Sequence, residues 1–70
     1  MTLVQKNLVR IIEDKDLKKK GVAKRAGITA QMLSDIIAGR KVIRADMIPA
    51  IAYAVGEEIP ELFRDDNKTA

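Results

Sequence analysis

Three observations predict an all-α domain of five short helices. Apolar residues recur at helical spacing, no segment alternates as a half-buried strand would, and Gly or Pro punctuates the chain between the apolar stretches. With 70 residues, 47% of them hydrophobic and 33% charged, the chain suits one folded domain with a thin core. Cys and His are both absent, which excludes disulfides, the usual zinc ligands, and Cys or His nucleophiles and bases. No metal and no cofactor is expected, and an enzyme is a remote reading. No apolar run approaches the roughly 18 residues of a membrane span, and the N-terminus lacks a signal-peptide pattern. A cytoplasmic chain without a membrane partner is expected.

Thr2 with Gln5 three places later reads as a capping box opening the first helix. Val4, Leu8, Ile11 and Ile12 form its buried stripe, with Lys6, Asn7, Arg10 and Glu13 expected to face water. It ends near Asp14 and Lys15, leaving Leu17 as a core plug. The second helix, residues 19–26, buries Val22, Ala23 and Ala26 and stops at Gly27, which suits a left-handed position. Thr29 caps the third, residues 29–38, whose inner stripe is Leu33, Ile36 and Ile37; Gly39 terminates it.

The fourth helix buries Ile48, Ile51, Ala52 and Val55 and stops at Gly56. Pro49 lacks an N–H and must lie near its start, which makes Asp46 the expected N-cap. Pro60 pre-sets a short fifth helix carrying Leu62 and Phe63. The domain is read as residues 1–64, followed by a polar tail, 65–70, that should fray.

Charge is strongly polarised. Residues 15–44 carry nine Lys and Arg against two Asp, a local +7, while residues 1–14 balance and residues 45–70 carry −4. A basic middle segment of this kind attracts polyanions, since neutralised phosphates release condensed counterions; a solvated basic face without a partner is the plainer reading. The only aromatics, Tyr53 and Phe63, fall at core-like positions in the C-terminal helices. The basic segment therefore lacks the stacking platforms of single-strand and loop-RNA binders, which favours double-stranded DNA.

The second and third helices, joined by a very short Gly-containing turn, have the form of a helix-turn-helix. Ala23 is small where the helices approach, and Ile28, Leu33 and Ile36 fill the angle between them. From Lys19 to Phe63 the string KKGVAKRAGITAQMLSDIIAGRK…MIPAIAYAVGEEIPELF resembles the lambda repressor/Cro-type helix-turn-helix family. Matching positions are Val22, Ala23 and Gly27; Thr29, Leu33 and Ile36; Gly39, Arg40 and Lys41; Ile51, Ala52, Val55 and Gly56; Leu62 and Phe63. The resemblance implies a compact five-helix lambda repressor-like DNA-binding domain. The family often pairs a Gln at the start of the second helix with one opening the recognition helix; here Lys19 and Ala30 stand there. Lys18 stands where a Ser or Thr cap is usual. The adenine-reading pair is thus absent.

With Leu33 inward, Gln31, Ser34, Asp35 and Ala38 point outward from the third helix, flanked by Ala30 and Met32. Gln31 is the first candidate for base readout, since its amide matches adenine; Ser34 discriminates weakly, and Ala30 or Met32 suits a thymine methyl. Asp35 either accepts from a cytosine amino group or pairs with a nearby Lys or Arg. Phosphate contacts are assigned to Lys19, Lys20, Thr29, Arg40, Lys41 and Arg44, which bracket that helix. Gly21 is either a place of close DNA approach or an ordinary surface Gly, while Lys15, Lys24 and Arg25 are expected only to keep the face basic.

Paired half-sites are the norm for so small a reader, so a homodimer is expected at least on DNA, with Ile59, Leu62 and Phe63 as its surface. Leu62 and Phe63 are adjacent and cannot both point fully inward. The function expected is sequence-specific transcriptional regulation of the phage or bacterial repressor type. The rival is a protein-interaction module of the same fold, such as an antitoxin, antirepressor or regulatory subunit.

Overall fold

Thr2 and Gln5 close a reciprocal capping box at the start of α1 (Leu3–Asp14). The Thr2 side chain accepts from the Gln5 N–H at 3.2 Å, and Gln5 Oε1 accepts from the Thr2 N–H at 2.9 Å. The computed structural model describes residues 2–65, which form α2 (Lys19–Ala26), α3 (Ala30–Ile37), a 3₁₀ turn (Ala45–Met47), α4 (Ile48–Val55) and α5 (Ile59–Leu62). No strand occurs among the described residues. Apart from Asp65, the expected tail lies outside them.

The first four helices end alike. In each, an N–H just past the end donates to the carbonyl five residues back: Leu17 to Ile12, Ile28 to Ala23, Arg40 to Asp35 and Glu57 to Ala52. This closure needs one residue at positive φ, here Asp16 at 54°, Gly27 at 74°, Gly39 at 84° and Gly56 at 73°. Gly27 takes that conformation without Cβ strain and turns the chain sharply into α3.

Val4, Leu8, Ile11, Ile12, Val22, Ala23, Leu33, Ile36, Ile51, Ala52, Ala54, Val55 and Leu62 form one core. Leu17, Ala26, Ile28, Ile37 and Ile48 are partly buried against it. α2 packs on α4 and α3, and α1 packs on α5 and α3. The helix-turn-helix is therefore held from behind by the other helices.

Four expectations are corrected here. Asn7 is buried, at 5% exposure: its amide donates to the Leu62 and Arg64 carbonyls at 2.7 and 2.8 Å, which no water-facing residue could do. Asp46 does not cap α4; it lies inside the 3₁₀ turn that precedes the helix, and its carboxylate meets Arg44 at 3.5 Å. Tyr53 is 75% exposed and Phe63 49%, so neither aromatic is a core residue. The buried face of α4 is made by Ile51, Ala52, Ala54 and Val55, which leaves Tyr53 on the other side. Leu62, offered as dimer surface, is fully buried and closes the core, while its neighbour Phe63 stays at the surface.

Candidate nucleic-acid interface

α2 and α3 are joined by residues 27–29 alone. The Thr29 hydroxyl oxygen accepts from the Met32 N–H at 3.0 Å and caps α3, leaving its own hydrogen free to donate outward. Leu33 and Ile36 are buried and pin α3 to the core, while Ile28 is half-buried in the turn. These anchors leave Ala30 and Gln31 exposed and Ser34 half-buried. Met32 is partly buried against the core, so only part of its side chain is available at the surface.

Cations stand on both flanks of this helix. Lys19 and Lys20 are exposed in the first turn of α2, and Arg40, Lys41 and Arg44 are exposed in the segment after α3. Lys18 gives α2 no side-chain cap, so its leading N–H groups and positive dipole end remain available to an anion. A Cβ at Gly21 would meet nothing within 4 Å, so nothing in the protein itself demands a glycine there.

Asp35 takes the paired arrangement of its two readings. Its Oδ1 accepts from Arg40 Nε at 2.9 Å and from Gln31 Nε2 at 3.1 Å. The Arg40 hydrogen bond, helped by Gln31, holds the carboxyl below the usual aspartate range despite the opposing effect of burial.

The residues that hold the interface in place lie mostly on α1, and the sequence reading missed them. Gln5 is 2% exposed; besides closing the capping box, its Nε2 donates to the Ile36 carbonyl at 3.0 Å and the Lys41 carbonyl at 2.7 Å. Lys15, just past α1, donates to the Val55 and Gly56 carbonyls at 2.9 and 3.2 Å and meets Glu57 at 2.7 Å. Arg25 of α2 reaches the Ala54 carbonyl at 3.4 Å. Together with Asn7 at α5, donors from α1 and its C-cap therefore satisfy carbonyls at the C-terminal ends of α3, α4 and α5, where the helix itself supplies no partner. Lys15 and Arg25 thus do more than keep a face basic. One signal was available: Gln5 and Asn7 flank the two edges of the apolar stripe, about a quarter turn from its centre.

A helix pinned from behind, reached by a three-residue turn and flanked by exposed cations, defines a helix-turn-helix DNA-binding domain. The chain belongs to the Cro/C1-type HTH DNA-binding domain family, whose pattern matches residues 7–68. Its fold is similar to that of the clp gene regulator ClgR from C. glutamicum, with 18% sequence identity over 87% of this chain and 79% of that one and a TM-score of 0.79. At that identity the likeness is one of fold. No curated protein matches the chain significantly in sequence. Among the described residues no helix is long and apolar enough to cross a membrane, and no group of three or more acidic side chains is placed to hold a metal ion.

Proposed function

We propose that the chain is a transcriptional regulator of the repressor type that reads a specific duplex through α3 in the major groove. The observation that carries this reading is the exposed Ala30–Gln31 end of a helix whose opposite side is locked by Leu33 and Ile36. Gln31 is assigned to base readout, with Ser34 and Ala30 beside it and Met32 at the margin. Lys19, Lys20, Thr29, Arg40, Lys41 and Arg44 grip phosphates on either side of the groove.

The working unit is residues 1–64, with residues 65–70 as an appendage, acting in the cytoplasm on the nucleoid. A homodimer on paired half-sites uses the exposed Ile59 and Phe63, and the exposure of both side chains supports that choice. The test is selection of bound duplexes from a random pool at near-physiological salt. An enriched palindrome is expected. Enrichment of no sequence, with a protein partner recovered in a nuclease-resistant complex, would favour the interaction-module reading.

A further inference from the structure

Asp35 is the only acidic residue on the recognition helix. Its side chain is only 18% exposed because it is engaged with Arg40 on one side and Gln31 on the other. Its main-chain carbonyl also accepts from the N–H groups of Arg40 and Lys41, at 2.8 and 3.2 Å. One residue therefore engages the first candidate base reader and both basic residues at the start of the following loop. To a guanidinium, a carboxylate and a phosphate are equivalent partners: each offers anionic oxygens in a geometry that matches its N–H groups.

We propose that Asp35 is an internal stand-in for DNA phosphate, occupying Arg40 and Gln31 in the free protein and so suppressing binding to arbitrary duplex. This rests on the DNA-binding reading above and deepens it. Arg40 holds Asp35 through Nε alone, so a two-point grip on a phosphate through Nε and Nη requires it to release Asp35, and that exchange replaces one anion by another. The stranded carboxylate then faces a polyanion without a partner. That cost falls on every duplex. It is offset only where a base edge donates to Asp35 or holds Gln31, as a cytosine amino group or an adenine would. Asp35 thereby discriminates mainly by what it withholds from the wrong sequence.

The test uses Asp35→Asn, which keeps the shape and an acceptor oxygen but removes the charge. Binding to a random-sequence duplex is followed by fluorescence anisotropy from 50 to 200 mM salt. Each additional phosphate neutralised adds about 0.9 to the log–log salt slope, or roughly eightfold in affinity at 0.1 M. Asp35→Asn should bind about five- to tenfold tighter at 0.1 M salt, with a slope steeper by about one unit. Glu13→Gln, on the exposed side of α1, measures the generic effect of one lost negative charge and should gain less. In an Arg40→Gln background, Asp35→Asn should still relieve the carboxylate's repulsion by DNA, but the added unit of salt slope, which comes from the charge of Arg40, should disappear. Equal gains for Asp35→Asn and Glu13→Gln, or a slope change that persists in full without Arg40, would overturn the proposal while leaving DNA binding intact. A wild-type chain that binds no duplex even at 50 mM salt would overturn both.

Discussion

Gln5 Nε2 lies 2.7 Å from the carbonyl oxygen of Lys41, which joins the first turn of α1 to the segment leaving α3. The same nitrogen also donates to the Ile36 carbonyl, and Gln5 Oε1 accepts from the Thr2 N–H and hydroxyl. One buried amide thus serves α1 as a cap and α3 as a terminus. It also fixes where the Arg40–Lys41 pair begins.

Gln5→Leu preserves approximate size but leaves the Ile36 carbonyl without that donor inside the protein. A loss of about 0.5–1.5 kcal/mol for each hydrogen bond removed is expected, since the Ile36 carbonyl keeps the Gly39 N–H at 3.1 Å as a second donor. Thermal melting should register a fall of about 4–8 °C for each kcal/mol in a domain of this size. A melting temperature equal to that of the wild type would show that the amide contributes no stability.

Gly21→Ala replaces a helix-interior glycine where the added methyl meets open space. Folding should become more favourable by roughly 0.5–1 kcal/mol, since alanine loses less backbone freedom. Duplex affinity then separates the two readings of this position. A tenfold loss in a better-folded variant means that a DNA strand approaches the α2 backbone closely, and no change means that Gly21 is an ordinary surface residue.

Gln31→Ala and Lys41→Ala should fail in different ways. The first should weaken binding to the selected duplex by about 1–3 kcal/mol and leave random duplex nearly untouched. The second should weaken binding to all sequences and lower the salt slope by about one unit. Matching profiles for the two variants would contradict the division between base and phosphate contacts.

The Asp35–Arg40 pair sets a pH limit. The folded state lowers the Asp35 pKa, chiefly through the Arg40 hydrogen bond, so it favours the ionised form. Its contribution to stability is fully present above the unfolded aspartate value of about 4 and is lost as pH falls through the lower folded value. The pair should therefore stay closed at neutral pH. A carboxyl-carbon NMR titration should place the Asp35 midpoint below that of the denatured chain, and Arg40→Gln should move it back up. A midpoint that ignores Arg40 would remove that side chain as the cause.

Much of this molecule was legible along the chain. Thr2 with Gln5, Gly27, Thr29, Gly39 and Gly56 mark helix limits by chemistry that acts within a few residues, and the same limits appear in three dimensions. The outward placement of Gln31 followed from helical spacing once Leu33 was set inward. The errors lay where one helix meets another. α4 is apolar nearly all round, so its periodicity could not say that the small Ala54 is buried and the large Tyr53 exposed. That choice belongs to how α4 packs against its neighbours α2 and α5, which the sequence of α4 alone does not contain.

By itself, the order of residues determined the helices, the three-residue turn, the polarised charge and the family. Only the tertiary structure decided which polar groups are interior. Gln5 and Asn7 look like surface residues, and the exposed Lys15 like a solvated one, until the C-terminal ends of α3, α4 and α5 are brought against α1 and its C-cap, each with carbonyls to satisfy. Asp35 likewise became a partner of Arg40 rather than of water because the left-handed turn at Gly39 folds the chain back beside it. Caps and turns act over neighbours in sequence and can be read there. Hydrogen bonds spanning 31 to 57 residues depend on how whole helices pack, and no short window of sequence contains that information.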